Sequence, residues 1–163
     1  MNKTLVLSTT ISNIIIKLAR EQGKAPEILL TELLETKLDP NISVNVYLEL
    51  HRKYLEEGKK LLEKGDLTQA SEKYWGAVTA LFNAIGVIRR EPHYSRRELN
   101  LLVEKLAIEL KRPELSKLFA VAERLHANFY HNFIKSKETF EEYVKDIIKL
   151  VKILKEYLQQ KMQ

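Results

Sequence analysis

Cysteine is absent from this 163-residue chain, which excludes disulfides, thiol catalysis and any zinc or iron–sulfur centre held by cysteine. Glycine and proline are scarce, five and four residues, so a turn-rich sheet protein is disfavoured. Asp39, Asp66 and Asp146 are the only aspartates. A carboxylate metal site would have to be built from glutamate, and neither an HExxH pattern nor a pair of ExxH patterns occurs. No cofactor and no metal are expected. No apolar run approaches the roughly 20 residues of a membrane span, and the chain does not open on a basic-then-apolar leader. The expectation is a cytoplasmic protein without membrane partners.

What remains is rich in lysine, glutamate and leucine, the composition of long helices. Apolar residues make up 45% and charged residues 30%, enough for a packed core under a solvated surface. The expected fold is all-α: a helical bundle over residues 41–163, preceded by an arm over residues 1–40. The net charge is +5. Residues 1–44 balance five basic against five acidic side chains, so the excess lies in the rest. Its densest run is Arg89, Arg90, His93, Arg96 and Arg97, which either attracts nucleic-acid phosphates or is a solvated loop between helices.

Along the chain, Leu5, Leu7 and Ile11 partly alternate with polar residues and suggest a short strand over 4–11. A helix over Ser12–Gln22 would turn Ile14, Ile15, Leu18 and Ala19 inward and stop at Gly23. A second helix from Pro26 would use Leu29, Leu30, Leu33 and Leu34 as its apolar face. Strand, helix, turn, helix is the order of a ribbon-helix-helix DNA-binding arm. The alternative is a helical hairpin packed on the main body. After the break at Leu38-Asp39-Pro40, Asn41 or Ser43 would cap a helix running to about Lys64. In it His51 sits on or beside the apolar face, and Gly58 permits a close neighbour. Asp66 with Gln69 reads as a capping box. It opens the most strongly periodic helix of the chain, from Leu67 to about Arg90. Its stripe is broad enough for burial on two sides. Ser95 with Glu98 caps another helix, Pro113 begins the next, and Ser136 caps the last.

Functional weight concentrates in Leu118–Phe133. Turned at about 100° per residue, this segment lines up Leu118, Ala122, Leu125, Phe129 and Phe133 as an apolar stripe. His126 and Tyr130 flank the stripe. Glu72, set among apolar neighbours on the long helix from Leu67, could pair with His126 or with a basic side chain inside the bundle, or point to solvent. The set His126, Tyr130, Glu72 and Asn128 is the candidate pocket for a nucleotide or other small ligand. Arg124 and His131, seven residues apart, fall on one line on the opposite side, facing solvent or a partner subunit.

The stretches Gly65-Asp66, Ala70-Ser71-Glu72-Lys73, Trp75-Gly76-Ala77 and Leu125-His126-Ala127-Asn128-Phe129-Tyr130 resemble the HEPN-type helical proteins. The resemblance is in particular to the archaeal PaREP family. Leu18-Ala19, Gly23, Pro26-Glu27 and the Leu38-Asp39-Pro40 break fit the same pattern, and the likeness spans most of residues 12–158. It implies an up-down helical bundle with a short extra helix, assembled as a homodimer or higher homo-oligomer. Many HEPN proteins are metal-independent ribonucleases, often toxins paired with a nucleotidyltransferase-like antitoxin. Their signature is an arginine, four to six residues, then a histidine. Arg124 and His131 have six residues between them. On that resemblance a histidine would move protons while an arginine steadies the phosphate of an RNA attacked by its own 2′-hydroxyl.

Three functions follow as expectations. The first is a binding or scaffold module for a nucleotide, nucleic acid or protein. The second is a toxin-like endoribonuclease acting on RNA through Arg124 and His131. The third is a DNA-binding regulator acting through residues 1–38.

Overall fold

The computed structural model describes residues 2–163, and among them every regular element is helical. Helix α1 spans Thr9–Glu21 and α2 spans Pro26–Leu34, followed by a 3-10 turn at Glu35–Lys37. Helices α3 (Pro40–Glu63), α4 (Leu67–Arg89), α5 (Arg96–Glu109), α6 (Glu114–His131) and α7 (Lys137–Lys161) complete the fold.

Local chemistry sets these boundaries. Ser8 caps α1 by accepting the Ile11 N–H at 3.3 Å, so the helix begins three residues before the Ser12 expected from periodicity. Gly23, at φ +65°, ends the turn after α1. A left-handed residue is needed there because the Lys24 N–H folds back to the Ala19 carbonyl. Asp39, rather than Asn41 or Ser43, caps α3 by accepting the Asn41 N–H at 2.8 Å. Asp66 caps α4 through the Gln69 N–H at 3.1 Å. Ser95 and Glu98 form a reciprocal capping box at α5, and Ser136 caps α7. Pro113 caps α6 rather than starting it.

Helix α4 is the axis of the bundle. It packs against α3, α5, α6 and α7, and every residue from Tyr74 to Gly86 is buried. Small residues let neighbours come close. The Tyr54 ring sits where a Cβ on Gly76 would be 3.1 Å away, and the Tyr74 ring packs against Gly58 in the same manner. Tyr47, Tyr74, Phe82, Phe119 and Phe140 are fully buried. Phe119 meets Phe82 edge-on at 5.2 Å between centroids, and Tyr74 meets Phe140 at 6.0 Å.

The N-terminal segment departs from its sequence expectation. No strand forms at 4–11. Residues 2–7 lie outside any helix with no partner strand beside them, and Leu5 and Val6 are exposed. Only Ala19 of α1 is buried, whereas Ile14 and Leu18 face outward. In α2 the buried residues are Ile28, Leu29 and Thr31, and Leu33 and Leu34 are exposed. The physical reason is that α2 is anchored by the opposite side of its wheel. Ile28 joins Leu50 and Tyr54 of α3 with Ala77 and Ala80 of α4 in a separate small cluster. Polar ties reinforce that anchor: Lys24 pairs with Glu32, Lys53 reaches Glu27 at 2.6 Å, and the Trp75 indole N–H donates to the Gly23 carbonyl at 3.0 Å.

No helix of the described residues is long and apolar enough to cross a membrane.

Candidate functional site

The turn between α1 and α2 arches over one face of α4 and α6, and a cleft of about 370 Å³ opens beneath it. From α4 it is lined by Trp75, Thr79 and Asn83, spaced four apart and therefore stacked along one helical face. His126 and Tyr130 of α6 enter by the same spacing. The arm supplies Arg20, Gly23, Lys24 and Glu32, and Tyr94 and Arg96 close the far end.

His126 is held on every side. Its Nδ1 lies 3.0 Å from Glu72 Oε2, so the ring nitrogen donates to the carboxylate and the acceptor lone pair of a neutral ring sits on Nε2. The ring stacks on Trp75 at 4.8 Å and 24°, and Tyr130 meets it edge-on at 5.2 Å. Nε2 faces Gly23, where an added Cβ would lie only 2.9 Å away. Burial pushes the Tyr130 hydroxyl above its ordinary pKa, helped by the Glu72 charge and opposed by Arg20; the arm's arginine and the α6 tyrosine thus share one electrostatic environment.

Deeper in, Glu32 is mostly enclosed. Burial raises its pKa, against the pull of Lys24 and of the Asn83 amide, which donates to Glu32 Oε1 at 3.1 Å. Asn83 is itself 1% exposed, and its carboxamide oxygen accepts no hydrogen bond from the protein. A buried acceptor left open is costly unless something fills it.

Of the residues expected to form a pocket, His126, Tyr130 and Glu72 do come together. Asn128 does not join them. It is fully buried, its amide donates to Ser71 Oγ at 2.8 Å, and its oxygen accepts the Ile134 N–H at 2.7 Å. Trp75, Lys24, Glu32 and Asn83 went unrecognised in the sequence. Asn83 carried one signal, a lone amide inside the apolar run Ala80–Ile85. Lys24 and Glu32 carried none.

Arg124 and His131 are both exposed on α6. Seven residues of helix separate them by about 10 Å along the axis. Arg124 leans toward α7: its Nε donates to the Tyr143 hydroxyl at 2.8 Å and its guanidinium lies 4.7 Å from the Phe133 ring centroid. Phe133 has left the apolar stripe, because Asn132 turns the chain left-handed at φ 47°.

The basic run between α4 and α5 is largely consumed by the fold. Arg89 engages Glu91, Glu109 and the Tyr157 hydroxyl. His93 is buried, with Nε2 2.9 Å from Glu35. Arg96 pairs with Glu123 at 2.7 Å. Arg90 and Arg97 are exposed, and Arg90 shares a groove with His93. Arg89 and Arg96 thus each face a carboxylate, while Arg90 and Arg97 stay exposed.

The archaeal PaREP1/PaREP8 family model matches residues 46–151, from α3 to α7. The chain belongs to this family. The all-helical architecture agrees with the HEPN-type bundle that the resemblance implies. No curated protein and no solved structure matches the chain. In this PaREP protein the matched region includes Glu72, Trp75, Asn83, His126 and Tyr130, while Arg20, Gly23, Lys24 and Glu32 come from outside it.

Proposed function

We propose that this PaREP protein is a ligand-binding helical module, and that the cleft under the α1–α2 turn takes an anionic ligand carrying a planar ring. A nucleotide meets both demands. The observation that carries this reading is the cleft itself, walled by Trp75 and Asn83 and rimmed by Arg20, Tyr94 and Tyr130. Arg20 offers charge for phosphate. Tyr94 and Tyr130, both partly exposed, offer ring faces for stacking.

Trp75 is the only tryptophan and lines the cleft, so its fluorescence is a direct probe. Titration with a panel of purine and pyrimidine mononucleotides should quench or shift its emission saturably. Arg20→Ala should weaken the response by about 10-fold, the share of one charge-assisted contact. Full titration up to millimolar nucleotide without any change in Trp75 emission or in calorimetric heat would refute the reading.

A second reading, RNA cleavage by Arg124 and His131, draws support from one observation: both are exposed on one line of α6 and neither is paired with a carboxylate. Purified chain that leaves single-stranded RNA intact at neutral pH, or a His131→Ala variant that cleaves as fast as the parent, would dispose of it.

A further inference from the structure

Helix α1 repeats its apolar residues at Ile11, Ile14 and Leu18, steps of three and four, which place all three on one stripe, and Leu7 lies just before it. That stripe does not face the bundle. Together with Leu5, Val6 and Leu7, its side chains are between 36% and 85% exposed. The helix instead rests on the body through Ala19, at the edge of the stripe. Apolar surface on this scale, running from Leu5 to Leu18, is what soluble chains cover.

We propose that a second copy of this chain covers it, with the α1 stripes of two protomers packed against each other. Area supports a twofold contact. A fully exposed Leu, Ile or Val side chain carries on the order of 100 Å² of apolar surface. The six side chains therefore present about 350 Å² per protomer, or about 700 Å² for the pair. At the roughly 65% apolar share of homodimer interfaces, the whole contact would bury about 1,100 Å². That passes the roughly 1,000 Å² that a specific interface needs.

Spacing supports it as well. Alternating steps of three and four are those by which one helix seats its knobs in another. Charge points the same way. Residues 1–44 are electrically balanced, whereas the remainder carries the whole +5. Two arms meet without net repulsion, and the arm offers little to an anionic surface. The extended residues 3–7 make no backbone hydrogen bonds to other segments. The identical segment of a second copy can pair with those groups.

The test is sedimentation equilibrium of the full chain alongside the double variant Ile11→Glu/Ile14→Glu. Both positions are solvent-facing in the single chain, so the far-UV circular dichroism should match the parent, and the two melting temperatures should converge as the parent is diluted below its dissociation constant. The parent should be dimeric at about 10 micromolar, and the variant's dissociation constant should rise by about 100-fold or more. A parent that stays monomeric to near-millimolar concentration would overturn the proposal. So would a folded variant that dimerises like the parent, because the contact would then lie elsewhere. Monomeric parent that floats with phosphatidylglycerol vesicles, and a variant that does not, would overturn it in favour of a membrane surface.

Discussion

Gly23 and Gly65 make a matched pair of perturbations. Both glycines are left-handed, at φ +65° and +80°, so alanine costs about 1–2 kcal/mol of backbone strain at either position. Around Gly65 an added Cβ meets nothing within 4 Å, whereas at Gly23 it would lie 2.9 Å from His126 Nε2 and 3.4 Å from Cε1. The imidazole cannot drift away freely. It is pinned by the 3.0 Å bond to Glu72 and by the stack on Trp75. Either the ring moves and loosens a carboxylate hydrogen bond, or the turn moves and loosens the Trp75 bond to the Gly23 carbonyl. Each route costs about 1–3 kcal/mol. Gly23→Ala should therefore lose about 2–5 kcal/mol and Gly65→Ala about 1–2 kcal/mol. Urea unfolding followed by circular dichroism measures both, and unchanged m-values would confirm that the same state is unfolding. Trp75 emission should shift only in Gly23→Ala. In a His126→Ala background the cost of Gly23→Ala should fall to that of Gly65→Ala. Equal losses in the two single variants, within about 0.5 kcal/mol, would show that His126 is not held as described.

Two further measurements probe the bundle itself. His51 is buried with Nδ1 donating to the Ala77 carbonyl at 2.8 Å, and burial lowers its pKa from 6.5 to about 4 in spite of that bond. Below pH 6.5 the unfolded chain takes up a proton that the folded chain refuses, so stability falls as pH drops from about 6.5 toward 4. This group contributes a loss of about 3 kcal/mol. Urea unfolding of the parent and of His51→Gln at a series of pH values should give the shallower slope for the variant, and parallel slopes would contradict the assignment. Asn128→Leu strands the Ile134 N–H and removes the donor to Ser71. It should cost about 2–4 kcal/mol, a melting point lower by about 5–15 °C; a change under about 2 °C would mean that these bonds are not made.

The bundle was legible because its signals are local and redundant. The Asp66, Ser95 and Ser136 caps and the broad stripe of α4 each specify one element from neighbouring residues alone, and the helices from α4 to α7 begin within a residue or two of Asp66, Ser95, Pro113 and Ser136. His126 and Tyr130 were also foreseeable, since helical phase puts them side by side, while Glu72 was left open between His126, another cation and solvent until the fold set it 3.0 Å from His126 Nδ1. The arm was misjudged for the opposite reason. Ile14, Leu18, Leu33 and Leu34 are apolar, and periodicity does not say whether an apolar stripe faces its own bundle or a neighbour.

The sequence by itself determined the helical class, most helix ends and the polar residues of α6, because capping and the 3.6-residue repeat act over a few residues. Only the tertiary structure decided which of those residues share a cleft. Asn83 became an open acceptor, Glu32 a buried acid and Gly23 the wall against His126 when a turn some fifty residues away from Trp75 folded over it. Burial and electrostatics depend on what lies across space, and the order of residues along the chain does not carry that distance.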